Sequence, residues 1–404
     1  MYCPDYVKNC IDLLEKARFS AYAVGGAVRD SLLGVAPADW DVTTSALPDD
    51  ILNVFSDFRT IPTGIKHGTV TVLFEIDEGT APIEITTYRI DGEYRDSRHP
   101  ENVSFSSNLF DDLSRRDFTV NAMAYNEKDG IIDVFGGRQD LEDHIIRTVG
   151  DPEKRFSEDA LRILRAFRFS AQLSFEIEEK TLLGAYSCAY LLKNIARERV
   201  GAEFKRLIAS TGLEYSLSKM IEGGVWRAAF DTEAPSSELI SKVAAVESRD
   251  FLTRVAILIA EHTEEERVAF LDSLRLSNNE KKTALRLCSV RNFGALADFE
   301  ELSVLARRFL HLYENVCDEA IYILRAFSDA ADHNAFVRAI EIEKRAKRPL
   351  QIKDLAVKGS DILPLCKNDH ARVGFLLSRL LMLVIENPEL NDKEKLIEIA
   401  KKES

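Results

Sequence analysis

Hydrophobic and polar positions alternate in the first third of the chain. The segments 68–74 (GTVTVLF) and 82–90 (PIEITTYRI) show this period of two and are bounded by turn-forming residues, which predicts β-strands. A short apolar run at 21–24 ends at two glycines, and a helical pattern follows over 27–33. The first 150 residues are therefore predicted to mix strands and helices.

From about residue 155 the spacing of apolar positions changes to three and four residues, as on one face of an amphipathic helix. The predicted helices cover 158–171, 198–208, 249–261, 318–327, 334–347 and 373–385. We therefore expect an α+β head followed by an all-helical remainder.

Composition excludes several classes of protein. The chain has 404 residues, enough for two to four packing units, and its six cysteines form no CxxC pair, which argues against a disulfide-stapled or zinc-stapled miniprotein. No apolar run approaches the roughly 20 residues that span a bilayer. We expect a soluble, cytoplasmic protein with buried free thiols. The net charge of -14 argues against a generally basic nucleic-acid coat, so an RNA partner would need a local basic patch.

The segment around Gly25 and Gly26 is a candidate phosphate site. Glycines between a strand and a helix allow backbone N–H groups to approach a phosphate, and the helix N-terminus adds a favourable partial charge. Arg29 is placed to reach the same anion. Alone, such a turn is more typical of an ordinary strand–helix connection.

Two carboxylates follow shortly afterwards. Asp39 and Asp41 flank Trp40, so on a strand both carboxylates would project from one face while Trp40 points into the core. Two oxygen ligands beside a triphosphate-binding turn suit Mg²⁺, which binds a few carboxylates together with substrate phosphates. An isolated pair of this kind would more often be a solvated acidic turn.

The motifs taken together resemble one family. The chain is similar to the class II nucleotidyltransferases, which hold bacterial CCA-adding tRNA nucleotidyltransferases and poly(A) polymerases. The similar segments, in order, are GGAVRD with DWD, RRDFTVNAMA at 115–124, the hinge motif at 137–152, EDALRILR at 158–165 and ARERVGAEF at 196–204. The resemblance implies a polymerase-β-like nucleotidyltransferase head with a mixed sheet over 1–150, a helical neck over 151–210, a body over 211–325 and a tail over 326–404.

The resemblance also implies roles for individual residues. Asp39 and Asp41 would be the catalytic residues and hold two Mg²⁺ ions, with Glu84 as a candidate third carboxylate. The triphosphate would be bound by Gly25, Gly26, Arg29 and Arg116, and Asp117 would accept from a ribose hydroxyl. Outside the motif, the Arg116–Asp117 pair would be equally typical of a surface ion pair.

Base selection is predicted on the helix expected after Ser157, a candidate N-cap. Asp159 only accepts hydrogen bonds and Arg162 only donates them, and three-residue spacing places both on one helix face. Cytosine and adenine both present an amino donor beside a ring-nitrogen acceptor, whereas guanine and uracil present a carbonyl beside a ring N–H. The pair could therefore select C and A, with Arg165 orienting it. A helical salt bridge between Asp159 and Arg162 is the competing interpretation.

The resemblance implies addition of CCA to tRNA, with CTP and ATP as substrates. Segment 92–105 resembles the loop of full CCA-adding enzymes, which argues against addition of the two cytidines alone. An A-adding enzyme and a poly(A) polymerase stay as alternatives. A non-catalytic relative would be expected to lack Asp39 or Asp41, and an appended phosphohydrolase would need a His-Asp pair that the tail histidines do not form.

The predicted partner is tRNA, bound at its acceptor and TΨC arm, with neither DNA nor a membrane. Candidate tRNA contacts form the clearest basic run in the tail, although such a run is also typical of a solvated helix face. They are Lys344, Arg345, Lys347 and Arg348. We expect a monomer, and a dimer is left open.

Overall fold

The computed structural model describes residues 1–62, 64–77, 79–91, 103–294, 301–327, 330–366 and 369–403. The chain divides into two compact units. The first comprises Met1–Ala234 with Ala269–Arg275, and the second comprises Pro235–Val268 with Leu276–Ser404.

The strands all lie in the first unit. They are β1 (Ala21–Val24), β2 (Trp40–Thr44), β3 (Arg59–Ile61), β4 (Thr69–Ile76), β5 (Gly79–Thr87), β6 (Arg89–Asp91), β7 (Val103–Phe105), β8 (Ala124–Asn126), β9 (Gly130–Ile132), β10 (Ile145–Ile146) and β11 (Glu176–Ile177), as seen in the described residues. The predicted strand 68–74 is β4, and the predicted strand 82–90 divides into β5 and β6.

The helices of the first unit are α1 (Asp5–Lys16), α2 (Gly26–Leu32), α3 (Pro48–Val54), α4 (Leu109–Ser114), α5 (Gly137–Glu142), α6 (Pro152–Glu158), α7 (Leu161–Leu173), α8 (Glu179–Cys188), α9 (Arg197–Ile208), α10 (Leu213–Glu222) and α11 (Val225–Phe230). The later helices are α12 (Ser237–Ala245), α13 (Phe251–Leu258), α14 (Glu264–Ser273), α15 (Asn278–Cys288), α16 (Arg291–Gly294), α17 (Leu302–Tyr313), α18 (Cys317–Phe327), α19 (Ala330–Ala346), α20 (Gly359–Ile362), α21 (His370–Glu386) and α22 (Lys393–Glu403). None of the helices in the described ranges combines the length and the apolar content needed to cross a membrane.

The head is built on a seven-stranded sheet with the order β3-β4-β5-β2-β1-β8-β9. The sheet is mixed, because β2 and β5 are parallel while the other neighbouring pairs are antiparallel. A mixed-sheet head followed by helices confirms the predicted fold class. The division of the helices into neck, body and tail stays a prediction.

One face of the sheet is covered by α1 and α3. Trp40, Val42 and Ile83 are buried on this face, as the alternation of apolar residues predicts. Phe55 at the end of α3 packs edge-on against Phe74 of β4, with ring centroids 5.9 Å apart. This apolar layer is the core of the head.

The opposite face is only half covered. Leu113 of α4 packs against Val24 and Ala124, so the β1 and β8 side of the face is closed by apolar contacts. On β2 and β5 the same face carries Asp41 and Glu84, which line an open cleft. The candidate residues Asp41 and Glu84 therefore lie on the part of this face that α4 does not cover.

The helical part of the first unit has its own core. Trp226 of α11 stacks on Phe270 of α14, with ring centroids 5.4 Å apart and planes 6° from parallel. Phe204 of α9 meets both rings edge-on. This aromatic cluster fixes α9, which contributes side chains to the cleft.

The second unit is helical and has a separate core in its last third. Leu376, Leu380 and Val384 of α21 are buried together with residues of α22. Arg307 of α17 donates to the main-chain carbonyls of Ile385 (2.6 Å) and Glu386 (3.0 Å), and so caps the C-terminal end of α21. All six cysteines are buried and unpaired, which confirms the expectation of free thiols.

The predicted helix over 158–171 is wrong at its start. Asp151 caps α6 by accepting from the Lys154 N–H (2.8 Å), and α6 continues through Ser157 to Glu158. Ser157 is therefore no N-cap, and its hydroxyl donates instead to the carbonyl of Glu153 (2.7 Å). The chain is extended at Asp159, and α7 begins at Leu161.

Candidate active site

The cleft of the first unit has a volume of about 610 Å³, within the range of sites that enclose small ligands. Its lining contains all eleven of the predicted active-site residues. These are Gly25, Gly26, Arg29, Asp39, Asp41, Glu84, Arg116, Asp117, Asp159, Arg162 and Arg165. Folding therefore brings residues from three separate sequence motifs into one cavity.

The lining of the cleft is positively charged although the chain is acidic. Nine arginines and five carboxylates line it, an excess of four positive charges among the described residues. A cleft whose lining carries an excess of one charge attracts ligands of the opposite charge. Because the net charge of the chain is -14, a polyanionic ligand needs a local basic patch, and the cleft provides one.

The glycine turn closes one end of the cleft. Gly25 has a φ of +75°, which L-residues with a side chain rarely adopt, and α2 begins at Gly26. A Cβ atom at Gly25 would lie 3.0 Å from Nη1 of Arg116. Glycine is therefore required here both for the backbone conformation and for the approach of the Arg116 side chain.

Replacing Gly25 with alanine is expected to raise KM for the nucleotides that the resemblance predicts as substrates about tenfold. Strain of roughly 1–2 kcal/mol and the displaced Arg116 would both act at the end of the cleft where the triphosphate is predicted to bind. Gly34→Ala is the matched control. Gly34 has a φ of +73°, but a Cβ there would meet nothing within 4 Å. Steady-state kinetics should show the KM effect in Gly25→Ala alone, while thermal unfolding should show a loss of stability in both. Equal KM values in the two variants would contradict the assignment.

Arg29 is buried in α2 and is held on several sides. It forms an ion pair with Asp30 (2.7 Å), and its Nη1 donates to Oδ1 of Asn121 (2.6 Å). Its guanidinium also lies 5.1 Å from the ring centroid of Phe169. These contacts fix a positive charge beside the glycine turn.

The two predicted carboxylates differ in their position. Asp41 lies in β2, whereas Asp39 lies just before the strand begins at Trp40, which is buried as predicted. Glu84 of β5 is the direct partner of Asp41 in the parallel ladder, so both side chains project from the same face. The structure thus places the candidate third carboxylate next to the pair.

Electrostatics at the carboxylates favour a bound cation. Although Asp41 faces the open cleft, loss of hydration raises its pKa to about 6, and the charges of Glu84 and Asp39 act in the same direction. Arg116 opposes the shift. A bound cation would stabilise the ionised form of a carboxylate that burial and neighbouring carboxylates make difficult to ionise. This environment suits a divalent metal ion.

No group of three or more histidine, cysteine, aspartate or glutamate side chains in the described ranges has the arrangement to hold a metal ion by itself. This is compatible with Mg²⁺, which uses one or two carboxylates and takes its remaining ligands from water and substrate phosphates. The residues fit a metal site that is completed by the triphosphate.

Arg115 and Arg116 are positioned by a carboxylate that the sequence analysis missed. Asp112 of α4 is fully buried and accepts from Arg115 (2.7 Å) and Arg116 (3.2 Å). Burial acts to raise the pKa of Asp112, but the guanidinium groups of Arg116 and Arg115 outweigh it and lower that pKa. Arg115 and Arg116 follow Asp112 by three and four residues, and this helical spacing could have indicated the ion pairs from the sequence.

Asp117 forms a second buried network. Its carboxylate accepts from Nε of Arg165 (2.7 Å), from Asn121 (3.2 Å) and from the N–H of Phe118 (2.9 Å). Burial acts to raise the pKa of Asp117, but Arg165 and Arg162 together with these hydrogen bonds lower it to about 2. Asp117 is therefore an ionised acceptor at any pH near neutrality, as a ribose-binding role requires.

The Asp117 network is expected to make stability depend on pH. Because the folded-state pKa of about 2 lies below the unfolded value of about 3.9, Asp117 contributes about 2 kcal/mol above pH 4, and this is lost as pH falls toward 2. Urea unfolding of wild type and Asp117→Asn between pH 6 and pH 3 should show their difference in unfolding free energy shrinking at the acidic end. A difference independent of pH would contradict this assignment.

The predicted base-selecting residues, Asp159 and Arg162, do not form the helical salt bridge with each other that was the competing interpretation. Asp159 accepts from Arg199 (2.9 Å) and from the N–H of Leu161 (3.0 Å). Arg162 donates to Glu158 (2.6 Å) and to two main-chain carbonyls, those of Arg155 (3.0 Å) and Arg115 (3.1 Å). Each member of the pair is thus held by its own partner, and both line the cleft.

Several residues of the cleft were missed by the sequence analysis. Arg199 lies in the 196–204 motif, but nothing in its spacing showed that it reaches Asp159. Phe169 lies beneath three guanidinium groups, with the carbon of Arg168 only 3.8 Å from its ring centroid. Arg168 also pairs with the buried Glu203 of α9 (2.5 Å), which joins α7 to α9. The contacts of Arg29 with Phe169, of Arg199 with Asp159 and of Arg168 with Glu203 join distant segments, so no local pattern reports them. Arg165 and Phe169 lie four residues apart on α7, and this spacing was an available signal for their contact.

Two further predictions concern other parts of the chain. Most of the predicted loop 92–105 lies outside the described residues, which resume at 103 with β7. The basic run at the end of α19 is exposed. Lys344 lies 3.6 Å from Asp318, and Arg348 lies 3.9 Å from Glu343 and 4.0 Å from Glu389. Ion pairs of this length with an exposed cation contribute little and leave the cations available to a stronger anion.

Comparison with protein families agrees with the geometry. Residues 21–147 match the model described as the poly A polymerase head domain, and residues 174–234 match the model described as the probable RNA and SrmB-binding site of polymerase A. The first match contains the sheet and most of the cleft, and the second contains α9.

Comparison with individual proteins extends over the whole chain. The CCA-adding enzyme of Ligilactobacillus salivarius strain UCC118 is 35% identical over 409 residues, which cover 99% of this chain and 97% of the relative. Identity to the CCA-adding enzyme of Lactobacillus helveticus strain DPC 4571 is 50% over 197 residues, and there the chain spans about half the length of the relative (48%). The crystal structure of the Bacillus stearothermophilus CCA-adding enzyme in complex with CTP has a TM-score of 0.79 and 31% identity, and the match covers 100% of this chain and 98% of that one.

Proposed function

This chain belongs to the family of CCA-adding enzymes, which are tRNA nucleotidyltransferases, and we propose that it adds CCA to the 3′ end of tRNA from CTP and ATP without a nucleic-acid template. The observation that carries the proposal is the single cleft in which a glycine turn, a carboxylate pair and an acceptor–donor pair for the base converge. The names of the relatives favour this activity over poly(A) synthesis.

The carboxylates Asp39 and Asp41, with Glu84 beside them, would hold two Mg²⁺ ions. When bound, these ions would lower the pKa of the RNA 3′-hydroxyl and neutralise charge on the departing pyrophosphate. The triphosphate would lie along Gly25 and Gly26, whose backbone allows close approach. Positioning and charge stabilisation then suffice for in-line attack on the α-phosphate, so the chain needs no covalent nucleophile.

The remaining residues of the cleft orient the nucleotide. Arg29 and Arg116 would pair with phosphate oxygens, and the ionised Asp117 would accept from a ribose hydroxyl, which favours ribonucleotides. Asp159 would accept from the amino group shared by cytosine and adenine, while Arg162 donates to the adjacent ring nitrogen. Arg165 is engaged with Asp117 and would thereby link ribose recognition to base recognition.

The tRNA acceptor and TΨC arm would be bound outside the cleft, largely through phosphates and shape. Lys344, Arg345, Lys347 and Arg348 are candidate phosphate contacts, since all four are exposed at the end of α19 or just beyond it. Each phosphate contact should make tRNA affinity more dependent on salt concentration.

A gel assay with three tRNA transcripts tests the function. The transcripts end at the discriminator base, after the first C or after the second C, and each is incubated with Mg²⁺ and CTP, ATP or both. We expect the first transcript to gain C, C and A with both nucleotides and then to stop. Addition of A only, and only to the transcript ending in CC, would make the protein an A-adding enzyme. An open-ended ladder of A on any RNA would make it a poly(A) polymerase.

A further inference from the structure

The far corner of the cleft carries hydroxyl groups that nucleotide binding does not use. Thr86 of β5 and Thr69 of β4 line the cleft, are partly exposed, and share a hydrogen bond of 3.0 Å between their Oγ1 atoms. The buried Thr43 of β2 donates to the main-chain carbonyl of Thr86 (3.2 Å) and fixes the strand beneath the pair. We call Thr69 and Thr86 the threonine pair.

The register of the sheet places the threonine pair away from the glycine turn. Thr86 lies two residues beyond Glu84 on β5, on the same face and roughly 7 Å further along the strand. Gly25 follows β1, which runs antiparallel to β2, so the glycine turn lies at the opposite end, where β2 begins. The order along the open face is therefore glycine turn, carboxylates, threonine pair.

In-line chemistry assigns a ligand to each end of this order. The attacking hydroxyl must approach the α-phosphate from the side opposite the departing pyrophosphate. Because the triphosphate occupies the glycine turn, the RNA 3′ end must enter from beyond the carboxylates, at the threonine pair. Arg89 also lines this corner, where it donates to the carbonyl of His67 (2.7 Å), and it supplies a positive charge for the phosphodiester.

The chemistry of the threonine pair matches one group on the RNA. When one hydroxyl donates to the other, the pair keeps one O–H donor and unused lone pairs. A ribose 2′-hydroxyl, which both donates and accepts, is complementary to that combination, and it is the group that distinguishes RNA from DNA. From this geometry we propose that Thr69 and Thr86 bind the 2′-hydroxyl of the last nucleotide of the acceptor RNA, and so position its 3′-hydroxyl at the carboxylates. The proposal rests on the proposed function and adds an acceptor site to it.

Thr86→Val and Thr69→Val test the proposal, since valine keeps the shape and the strand preference while removing the hydroxyl. Loss of one neutral hydrogen bond should lower kcat/KM for tRNA by roughly 3- to 10-fold and leave KM for CTP unchanged. Because the two hydroxyls act as a unit, the double variant should lose no more than either single one. Thr80→Val is the matched control, as Thr80 lies on β5 on the same face but is exposed and outside the cleft.

A tRNA whose last nucleotide is 2′-deoxy provides the second arm. For wild type, kcat/KM should be roughly 3- to 10-fold lower with the 2′-deoxy tRNA than with normal tRNA, which is the loss expected from the mutation. For Thr86→Val, kcat/KM should be the same with both tRNAs, because the variant already lacks the contact. Independent, multiplying losses would overturn the assignment to the 2′-hydroxyl. A threonine variant with a raised KM for CTP, or with full activity on tRNA, would overturn the acceptor site itself, although wild type still adds CCA. A wild-type protein that adds nothing to intact tRNA would overturn the proposed function as well.

Discussion

Asp41→Asn is expected to reduce the rate of CTP addition by about a thousandfold or more, since a metal-bound carboxylate supports several kcal/mol of transition-state stabilisation. Asparagine keeps the shape of the side chain but removes the charge that attracts the cation. Single-turnover assays with saturating CTP and tRNA measure the chemical step directly. Asp39→Asn should show a loss of similar size.

The structure also predicts how this loss differs from a loss of folding. Burial is the largest cause of the raised pKa of Asp41, and the charge of Glu84 adds to it, so removing the charge of Asp41 should not lower thermal stability. Asp49→Asn, an exposed acid of α3 outside the cleft, is the matched control and should keep full activity. Asp41→Asn with the activity of the control would remove this residue from the chemistry.

Local patterns were sufficient for much of the head. The apolar run before Gly25 became β1, and the alternation around Trp40 correctly placed this side chain in the core. Both are decided by neighbours in sequence, through the period of the strand and the conformational freedom of glycine. For the same reason the six helices predicted after residue 155 were found with errors of only a few residues at most ends, while others such as α8 and α15 were not predicted.

Contacts between distant segments were out of reach of such patterns. Glu84 is adjacent to Asp41 only because β5 pairs with β2 in parallel, and no local signal specifies that partner. Arg199 meets Asp159 because α9 packs against α7, an arrangement held by the buried Arg168–Glu203 pair. The site thus depends on a tertiary packing that the motifs could only imply through resemblance.

The helix start near Asp159 shows why a correct residue can be predicted for an incomplete reason. Asp159 and Arg162 were expected to share a face of one helix, but Asp159 lies in the extended segment between α6 and α7. Ser157 does not cap a helix because Asp151, six residues earlier, is the N-cap and Pro152 the first residue of α6, which includes Ser157. The break frees the Asp159 carboxylate to turn toward Arg199 and the cleft.

Asp159→Ala is expected to lower kcat/KM for CTP by about a hundredfold or more and to leave kcat/KM for UTP nearly unchanged, so the preference for C over U collapses. The physical reason is that cytosine would lose the hydrogen bond from its amino group to Asp159, and with it the discrimination that this acceptor provides. Uracil has no amino group, so it makes no such bond in the wild type and loses none in the variant. Competition assays with CTP and UTP, and with ATP and GTP, measure the two ratios. Arg199 keeps access to water at the cleft, so its charge is not left buried without solvation.

Asp151→Ala separates base recognition from helix capping. Asp159 accepts from the N–H of Leu161 at the start of α7, and Asp151 accepts from the N–H of Lys154 at the start of α6. Both variants should therefore lose about 1 kcal/mol of stability from the missing cap. Since Asp151 lies outside the cleft, its variant should keep the wild-type ratio of CTP to UTP incorporation. Equal loss of this ratio in both variants would show that selectivity depends on the capping of these helices, and that Asp159 does not read the base.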